Sequence, residues 1–156
     1  MFVTNVLSNI SINGNVHDVF TYVVPIDVNL IFKRKGIIPG VKSSSNTETW
    51  NQAGLTRTVV FEDNNTAQEK LESVLAPESF SYTISNFTSV LRVFVSQISG
   101  NWIFQTNDNK THIHWTYSLH AHGIIGHIIT QAVIKKSMQM VMDEALRIIK
   151  KEYEKT

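Results

Sequence analysis

The sequence predicts an α+β fold in which a curved antiparallel sheet wraps around one long C-terminal helix. Apolar and polar residues alternate along most of the chain as far as residue 121, and this period of two is typical of β-strands. From Gly123 onwards, the apolar residues recur at the 3.6-residue period of an α-helix. Turn-forming residues divide the alternating part into about seven strands, which indicates a sheet followed by one helix.

The N-terminal part of the chain predicts one strand and two short helices. Residues 2–12 alternate, which favours a strand. Apolar residues then recur at helical spacing over residues 16–23, after an Asn-Gly-Asn breaker that can cap a helix and before Pro25, which ends it. A second helix is expected over about residues 26–32, because the basic residues that follow suit the C-terminal end of a helix dipole.

About six further strands are expected between residues 41 and 121. β-Branched and aromatic residues alternate there between turns rich in Asn, Asp, Gly and Pro. The longest of these strands should carry a bulge at Gly100. We expect the strands at about residues 41–50, 56–61, 66–75, 80–84, 90–106 and 111–121.

The predicted C-terminal helix, residues 123–155, is the only large element left to cover the sheet. A sheet of this size must bury one face. A curved sheet meets such a helix closely at its ends and can stand away from it in the middle, which predicts a pocket between the two. Aromatic residues that could line it are Trp50, Phe61, Phe80, Tyr82, Phe94, Trp102, Phe104, Trp115 and Tyr117.

Composition narrows the class of protein. A length of 156 residues favours one domain spanning residues 1–156, and 42% hydrophobic residues indicate a globular chain. Lys and Arg number 14 against 13 Asp and Glu, so no basic excess points to a nucleic-acid partner. The chain has no Cys, which excludes disulfides, thiolate metal sites and cysteine nucleophiles.

The sequence favours a cytoplasmic protein. The first 16 residues carry no basic residue and alternate in polarity, unlike a signal peptide. No charge-free run of 18 apolar residues occurs, so stable membrane insertion is not expected. The pattern leaves open whether the chain forms a homo-oligomer.

One stretch of the chain carries a family resemblance. The segment "WNQAGLTRTVVFEDNNTAQEKL" has Gly54, Arg57 three residues later, a hairpin turn, and Glu69 leading the next strand. With the later strands "FSYTI", "GNWIF" and "THIHWTYSL", it resembles the polyketide cyclase/dehydrase and lipid-transport branch of the START and birch-pollen-allergen superfamily. The resemblance covers nearly the whole chain and implies the helix-grip fold. Members bind lipids, sterols, polyketides or hormones, and some cyclise or dehydrate polyketides.

The residues expected to contact a ligand are mainly aromatic and lie on the covered face. Tyr82, Trp102 and Tyr117 are preferred, because each combines apolar area with a polar group that can orient a ligand. Arg57 and Glu69 form either a ligand-orienting pair in the pocket or an ion pair on the outer face. The complete predicted set is Trp50, Arg57, Glu69, Tyr82, Trp102, Trp115, Tyr117 and Met138.

Five of the six histidines lie within residues 111–127. His112, His114, His120 and His122 share one strand parity, so we expect them on the outer, hydrated face of the sheet. At most two could converge from one strand end, and a metal site needs three or four ligands. No metal or cofactor is therefore expected, although a pH-sensitive surface remains an alternative.

The leading functional prediction is binding of a small hydrophobic ligand, lipid-like or polyketide-like, between the sheet and the long helix. Access is expected near the short helices and the loop from Gly36 to Gly40, which could act as a lid. An alternative is a polyketide cyclase or dehydrase that uses Glu69, Tyr82 or a histidine as acid or base. Another is a protein-interaction module with a filled pocket. The sequence identifies no catalytic residue.

Overall fold

The computed structural model describes residues 2–45 and 49–155. Its centre is a seven-stranded antiparallel sheet with the spatial order β1-β7-β6-β5-β4-β3-β2. Successive strands from β2 to β7 are therefore neighbours, and β1 joins the far edge beside β7. The strands are β1 (Val3–Asn13), β2 (Val41–Ser45), β3 (Thr56–Phe61), β4 (Thr66–Leu75), β5 (Ser79–Ser85), β6 (Val95–Asn107) and β7 (Lys110–Ala121).

Two short helices follow the first strand, and one long helix ends the chain. The short helices are α1 (Val16–Val23) and α2 (Val28–Ile31). The C-terminal helix consists of α3 (Gly123–Ile129), a π-helical segment (Thr130–Ile134) and α4 (Lys135–Glu154), 32 residues in all. The predicted helix-grip fold, with a curved sheet around a long C-terminal helix, is confirmed. No helix in the described ranges is long and apolar enough to cross a membrane.

Local signals account for several element boundaries. The side chain of Asn15 accepts a hydrogen bond from the Asp18 backbone N–H at 2.9 Å, which caps α1 as the breaker pattern predicted. The second helix is shorter than expected and covers only Val28–Ile31. The predicted strand at 41–50 ends at Ser45, residues 46–48 lie outside the described residues, and Trp50 follows in a bend.

The predicted strand at 90–106 was wrong in two respects. Residues Val90–Val93 form a 3₁₀-helix capped by the Ser89 hydroxyl, so β6 begins only at Val95. The β6–β7 register shifts between Val95 and Gln97, and not at Gly100. Local hydrogen bonding by Ser89 competes successfully with the strand ladder in this segment.

Gly100 serves close packing and does not form a bulge. It is paired with Tyr82 on β5 and with Tyr117 on β7. A Cβ atom at this position would lie 2.5 Å from ring atoms of Tyr82 and 2.9 Å from the Tyr117 ring. The missing side chain therefore lets the tyrosine rings of β5 and β7 meet over β6, the strand between them.

The long helix is fastened to one edge of the sheet. The Ser8 hydroxyl on β1 donates to Asp143, and the Gln139 amide donates to the Leu7 carbonyl at 2.7 Å. The Lys150 ammonium donates to the Ser11 carbonyl at 2.6 Å. α4 thus runs along β1, and the inner faces of β3, β4 and β5 are left farther from it.

Candidate ligand-binding cavity

A cavity of about 410 Å³ lies between the inner face of the sheet and the C-terminal helix. Most of its wall consists of aliphatic and aromatic side chains, which come from the short helices, strands β2 to β7 and the C-terminal helix. Val23, Ile31, Val59, Ile98 and Met138 represent these elements. Alternation on the strands places one face of each inside, which is why a single sheet can present a continuous apolar wall.

Seven of the eight predicted ligand-binding residues line this cavity: Trp50, Arg57, Glu69, Tyr82, Trp102, Tyr117 and Met138. Trp115 is the eighth, and it lies behind the wall. Its fully buried ring stacks on Trp102 with centroids 4.3 Å apart and meets Phe32 edge-on at 5.7 Å. Trp115 therefore positions a wall residue and does not itself face the cavity.

Several wall residues were missing from the predicted set. Ile84 and Ile98 lie on strands whose alternation could have identified them, and so does Phe80, a member of the broader aromatic group. Phe87 and Leu91 lie in the β5–β6 connection, where no periodicity marks an inner face.

Arg57 and Glu69 form a buried ion pair on the cavity wall. They are directly opposite each other on β3 and β4, and the Arg57 Nη2 donates to Glu69 Oε1 at 2.8 Å. The side chains are only 3% and 7% exposed. The guanidinium also lies 4.0 Å above the Trp50 ring, a cation–π contact. The register thus selects the cavity, rather than the outer face, for this pair.

The environment of Glu69 opposes its ionisation. Burial raises the pKa of Glu69 above its ordinary value of 4.5, and the charge and hydrogen bond of Arg57 act in the opposite direction. On the Arg57 side, Nε is buried without a hydrogen-bond partner in the described part of the chain. A buried donor in this condition is costly, which adds to the free-energy cost of burying the pair.

A chain of aromatic hydrogen bonds lies at the centre of the sheet. The Trp102 Nε1–H donates to the Tyr82 hydroxyl at 3.1 Å, and that hydroxyl donates to the Tyr117 hydroxyl at 3.1 Å. Burial raises the pKa of both tyrosines above the ordinary value of 10.0, so both phenols keep their protons at neutral pH. All three side chains line the cavity.

The cavity reaches the surface where three elements meet. Ile37 in the loop before β2, Val90 in the 3₁₀-helix and Val133 in the π-helical segment all line it, and they are 56%, 73% and 43% exposed. The Ile37 N–H donates to the Ser137 hydroxyl at 3.2 Å, which ties the loop to α4. Gly36, at φ +55°, allows the chain to turn there beside Ser137.

The histidines of β7 lie on the face of the sheet opposite the cavity. Burial alternates along β7, with Trp115 and Tyr117 buried and His114 exposed. His112 makes a 2.7 Å hydrogen bond with the Ser11 hydroxyl of β1. Within residues 2–45 and 49–155, no group of three or more His, Asp or Glu side chains is arranged to hold a metal ion.

Solved structures share this architecture. Ara h 8.0201 is similar with a TM-score of 0.65 and 18% identity over 94% of this chain and 98% of that one. XoxI from Bacillus cereus gives 0.64 and 16% over 96% and 94% of the two chains. The di-domain ARO/CYC BexL from the BE-7585A biosynthetic pathway gives 0.69 and 13%, covering 96% of this chain but 50% of that protein. At these identities the likeness establishes the fold alone.

The sequence itself carries the family assignment. No curated protein matches the chain. Residues 4–154, however, match the family model described as polyketide cyclase / dehydrase and lipid transport. That match spans every strand except the first residue of β1, together with the whole C-terminal helix. The chain therefore belongs to the polyketide cyclase/dehydrase and lipid-transport family, within the START and birch-pollen-allergen superfamily.

Proposed function

We propose that residues 1–156 form a single domain that binds a small hydrophobic ligand, lipid-like or polyketide-like, in the cavity beneath the C-terminal helix. The observation that carries this proposal is a cavity of about 410 Å³ with apolar walls and a few convergent polar groups. Small-molecule sites have this size and composition. An unfilled space of this volume also weighs against an interaction module whose pocket is occupied by its own side chains.

Burial of the ligand's apolar surface would drive binding. Each Å² removed from water contributes about 25 cal/mol before the costs of ordering are subtracted. Trp50, Trp102 and Met138 would contact the apolar body, and Met138 offers a flexible side chain that adapts to different shapes. Ligand would enter past Ile37 and Val90, where apolar side chains meet solvent.

A direct test combines native mass spectrometry with ligand titration. Gently purified protein should carry a co-purifying small molecule or, once emptied, should bind a fluorescent fatty acid. Trp102→Ala should weaken that binding about tenfold, because it removes a large part of the apolar wall. Ile103→Ala is the matched control, since Ile103 is the next residue on β6 and is 39% exposed on the other face.

The outcomes separate the proposal from a loss of folding. Both variants should keep a cooperative unfolding transition, and only Trp102→Ala should lose affinity. The proposal fails if the wild-type protein binds no hydrophobic probe, or if both variants bind as the wild type does.

Catalysis is a second candidate, and one observation favours it. Glu69 is a carboxyl group in a cavity with a raised pKa, as an acid or base for cyclisation or dehydration requires. Its Oε1 is engaged by Arg57, and the neighbouring phenols are held in their neutral form by burial. Incubation of the wild type with a polyketide substrate, followed by product analysis, tests this candidate. If Glu69 is the acid or base, Glu69→Gln should abolish the turnover seen with the wild type. The cytoplasm stays the predicted location, and a homo-oligomer stays compatible with the sequence.

A further inference from the structure

We propose that the surface around the cavity mouth docks reversibly on anionic lipid bilayers. This surface, called here the mouth face, is formed by three segments, which are residues 28–40, 86–94 and 123–140. The inference goes beyond the proposed function, because such a surface can bind a bilayer whether or not the cavity holds a ligand. It rests on the contacts among the three segments, on their exposed apolar side chains and on their charge.

The three segments form one continuous surface. α3 packs directly on the segment before β6, since a Cβ atom at Gly126 would lie 2.6 Å from the Phe94 carbonyl oxygen. On the other side, the loop before β2 meets α4, since a Cβ atom at Gly36 would lie 3.5 Å from Met140 Cε. The hydrogen bond from the Ile37 N–H to the Ser137 hydroxyl fixes the same contact. The C-terminal helix therefore joins the other two segments.

Exposed aliphatic side chains are concentrated on the mouth face. Within residues 2–45 and 49–155, 13 large hydrophobic residues are exposed, and nine of them belong to these three segments. Val90 and Ile125 are the most exposed of the 13, at 73% and 71%. Exposed apolar residues are ordinary when they are scattered singly, but a group of them around an opening marks an interaction site.

Charge on the mouth face has one sign. Its segments carry none of the 13 Asp and Glu residues of the chain but six of the 14 Lys and Arg residues, which are Lys33, Arg34, Lys35, Arg92, Lys135 and Lys136. Of these six, only Arg34 forms an ion pair in the described part of the chain, at 3.7 Å from Glu62 in the β3–β4 turn. Asp63 in the same turn and Glu144, which Arg147 engages, also lie near the face. The chain is therefore nearly neutral as a whole but cationic around the mouth, and such a patch attracts an anionic surface.

Protein partners fit the mouth face less well than a bilayer does. A symmetric dimer would place this face against itself, so cations would meet cations. Interfaces with other proteins favour aromatic residues and Arg, and they disfavour Lys. None of the nine exposed hydrophobic residues is aromatic, and four of the six cations are Lys.

An anionic bilayer satisfies both features of the face. Aliphatic side chains can enter the boundary between head groups and acyl chains without a matching pocket, and long Lys side chains can reach the head groups beside them. Lys136 and Met140 are four residues apart on α4, so a cation and an exposed apolar side chain share one side of the helix. Docking in this orientation would place the opening of the cavity against the bilayer.

Sedimentation with lipid vesicles tests the inference on the full chain. Vesicles of equal parts phosphatidylglycerol and phosphatidylcholine would be compared with vesicles of phosphatidylcholine alone, in about 0.1 M salt. We expect binding to the anionic vesicles to be at least about tenfold tighter than binding to the neutral ones, because the cations attract the anionic head groups. Added salt should weaken this binding.

Two double variants separate the apolar contribution from the charge. Val93→Ser/Ile125→Ser truncates side chains that are 58% and 71% exposed and do not line the cavity, and it should weaken binding to the anionic vesicles at least about tenfold. Lys135→Gln/Lys136→Gln should weaken the same binding at least about tenfold and reduce its salt dependence.

Each double variant has a matched control outside the mouth face. Leu7→Ser/Leu75→Ser truncates side chains of similar exposure, 62% and 61%. Lys110→Gln/Lys151→Gln removes the same charge from exposed positions at the start of β7 and the C-terminal end of α4. Both controls should bind the anionic vesicles as the wild type does, and all four variants should keep a cooperative unfolding transition and the wild-type affinity for a fluorescent fatty acid.

The outcomes separate this inference from the proposed function. Absence of vesicle binding by the wild type, or unchanged binding by both mouth-face variants, would overturn docking and leave the proposed function in place. Binding lost only in the lysine variant would overturn the entry of apolar side chains into the bilayer. A dimer that Val93→Ser/Ile125→Ser disrupts, without vesicle binding, would assign the face to a second copy. Failure of the wild type to bind any hydrophobic probe would remove the proposed function without affecting docking.

Discussion

The interior of this protein has two parts that share one helix and one sheet but differ in how they are filled. In the first part, called here the sealed part, Val6 and Ile12 of β1 and Ala145, Leu146 and Ile149 of α4 are at most 1% exposed, and none lines the cavity. In the second part, called here the open part, the cavity separates strands β3 to β6 from the C-terminal helix. The sealed part fixes the helix to the sheet edge, so the open part can keep its volume without collapsing.

The largest expected difference comes from the ion pair in the open part. Arg57→Met removes the ion-pair partner of the buried Glu69 carboxylate, so the free energy of unfolding should fall by about 3–5 kcal/mol at neutral pH. Arg147→Met breaks the exposed pair with Glu144 on α4 and should cost less than about 1 kcal/mol. Denaturant unfolding of the two variants measures both values, and equal losses would mean that the cavity pair is solvated.

A matched pair of leucine truncations compares the two parts directly. Leu146→Ala should lower the free energy of unfolding by about 2–5 kcal/mol, because the surrounding sealed part cannot refill the hole. Leu91→Ala, on the half-buried cavity wall, should cost about 1 kcal/mol, because that side chain already borders empty space. Chemical denaturation would measure the difference, and a larger loss for Leu91→Ala would contradict the division of the interior.

The smallest expected effect is a pH dependence centred on Glu69. Because burial raises its pKa, the folded protein holds this proton at pH values where the unfolded chain has released it. The resulting stability is fully present below the ordinary pKa and is lost as pH rises through the folded pKa. Relative to Glu69→Gln, the wild type should gain stability as pH falls through this window, by at most about 1.4 kcal/mol per pH unit.

Unfolding curves at several pH values, with Glu72→Gln as the exposed control on the same strand, would measure this dependence. A constant difference between the wild type and Glu69→Gln across the window would mean that Arg57 fully offsets the effect of burial.

Periodicity predicted the fold, the order of the elements and the covered face of each strand. On β7, for example, alternation separates the inward Tyr117 from the outward His114. Periodicity cannot distinguish a residue that faces the cavity from one that lies behind its wall. Trp102 and Trp115 have the same inward orientation and stack on each other, yet only Trp102 reaches the open space. That distinction depends on the position of the C-terminal helix over the sheet, which is set by tertiary packing and not by the pattern of any one strand.

The β3–β4 register and the capping of the segment before β6 are two further features that the sequence alone did not predict. The direct pairing of Arg57 with Glu69 depends on how the β3–β4 turn is closed, and two registers were compatible with the residues. The 3₁₀-helix at Val90–Val93 replaces the start of a predicted strand, because the Ser89 hydroxyl offers the backbone a local partner. This segment also forms part of the mouth of the cavity, where Phe87 and Leu91 had no pattern to reveal them.

Gly100 controls the contact between the two phenol groups of the cavity wall. The hydroxyl-to-hydroxyl contact of Tyr82 and Tyr117 exists only because no methyl group stands between the two rings. An alanine at this position would push the two phenol rings apart, although every residue that lines the cavity would stay the same. A relative could thus change which ligand head groups its cavity accepts through a residue that does not line the cavity. A sequence comparison restricted to the lining positions would not detect that change.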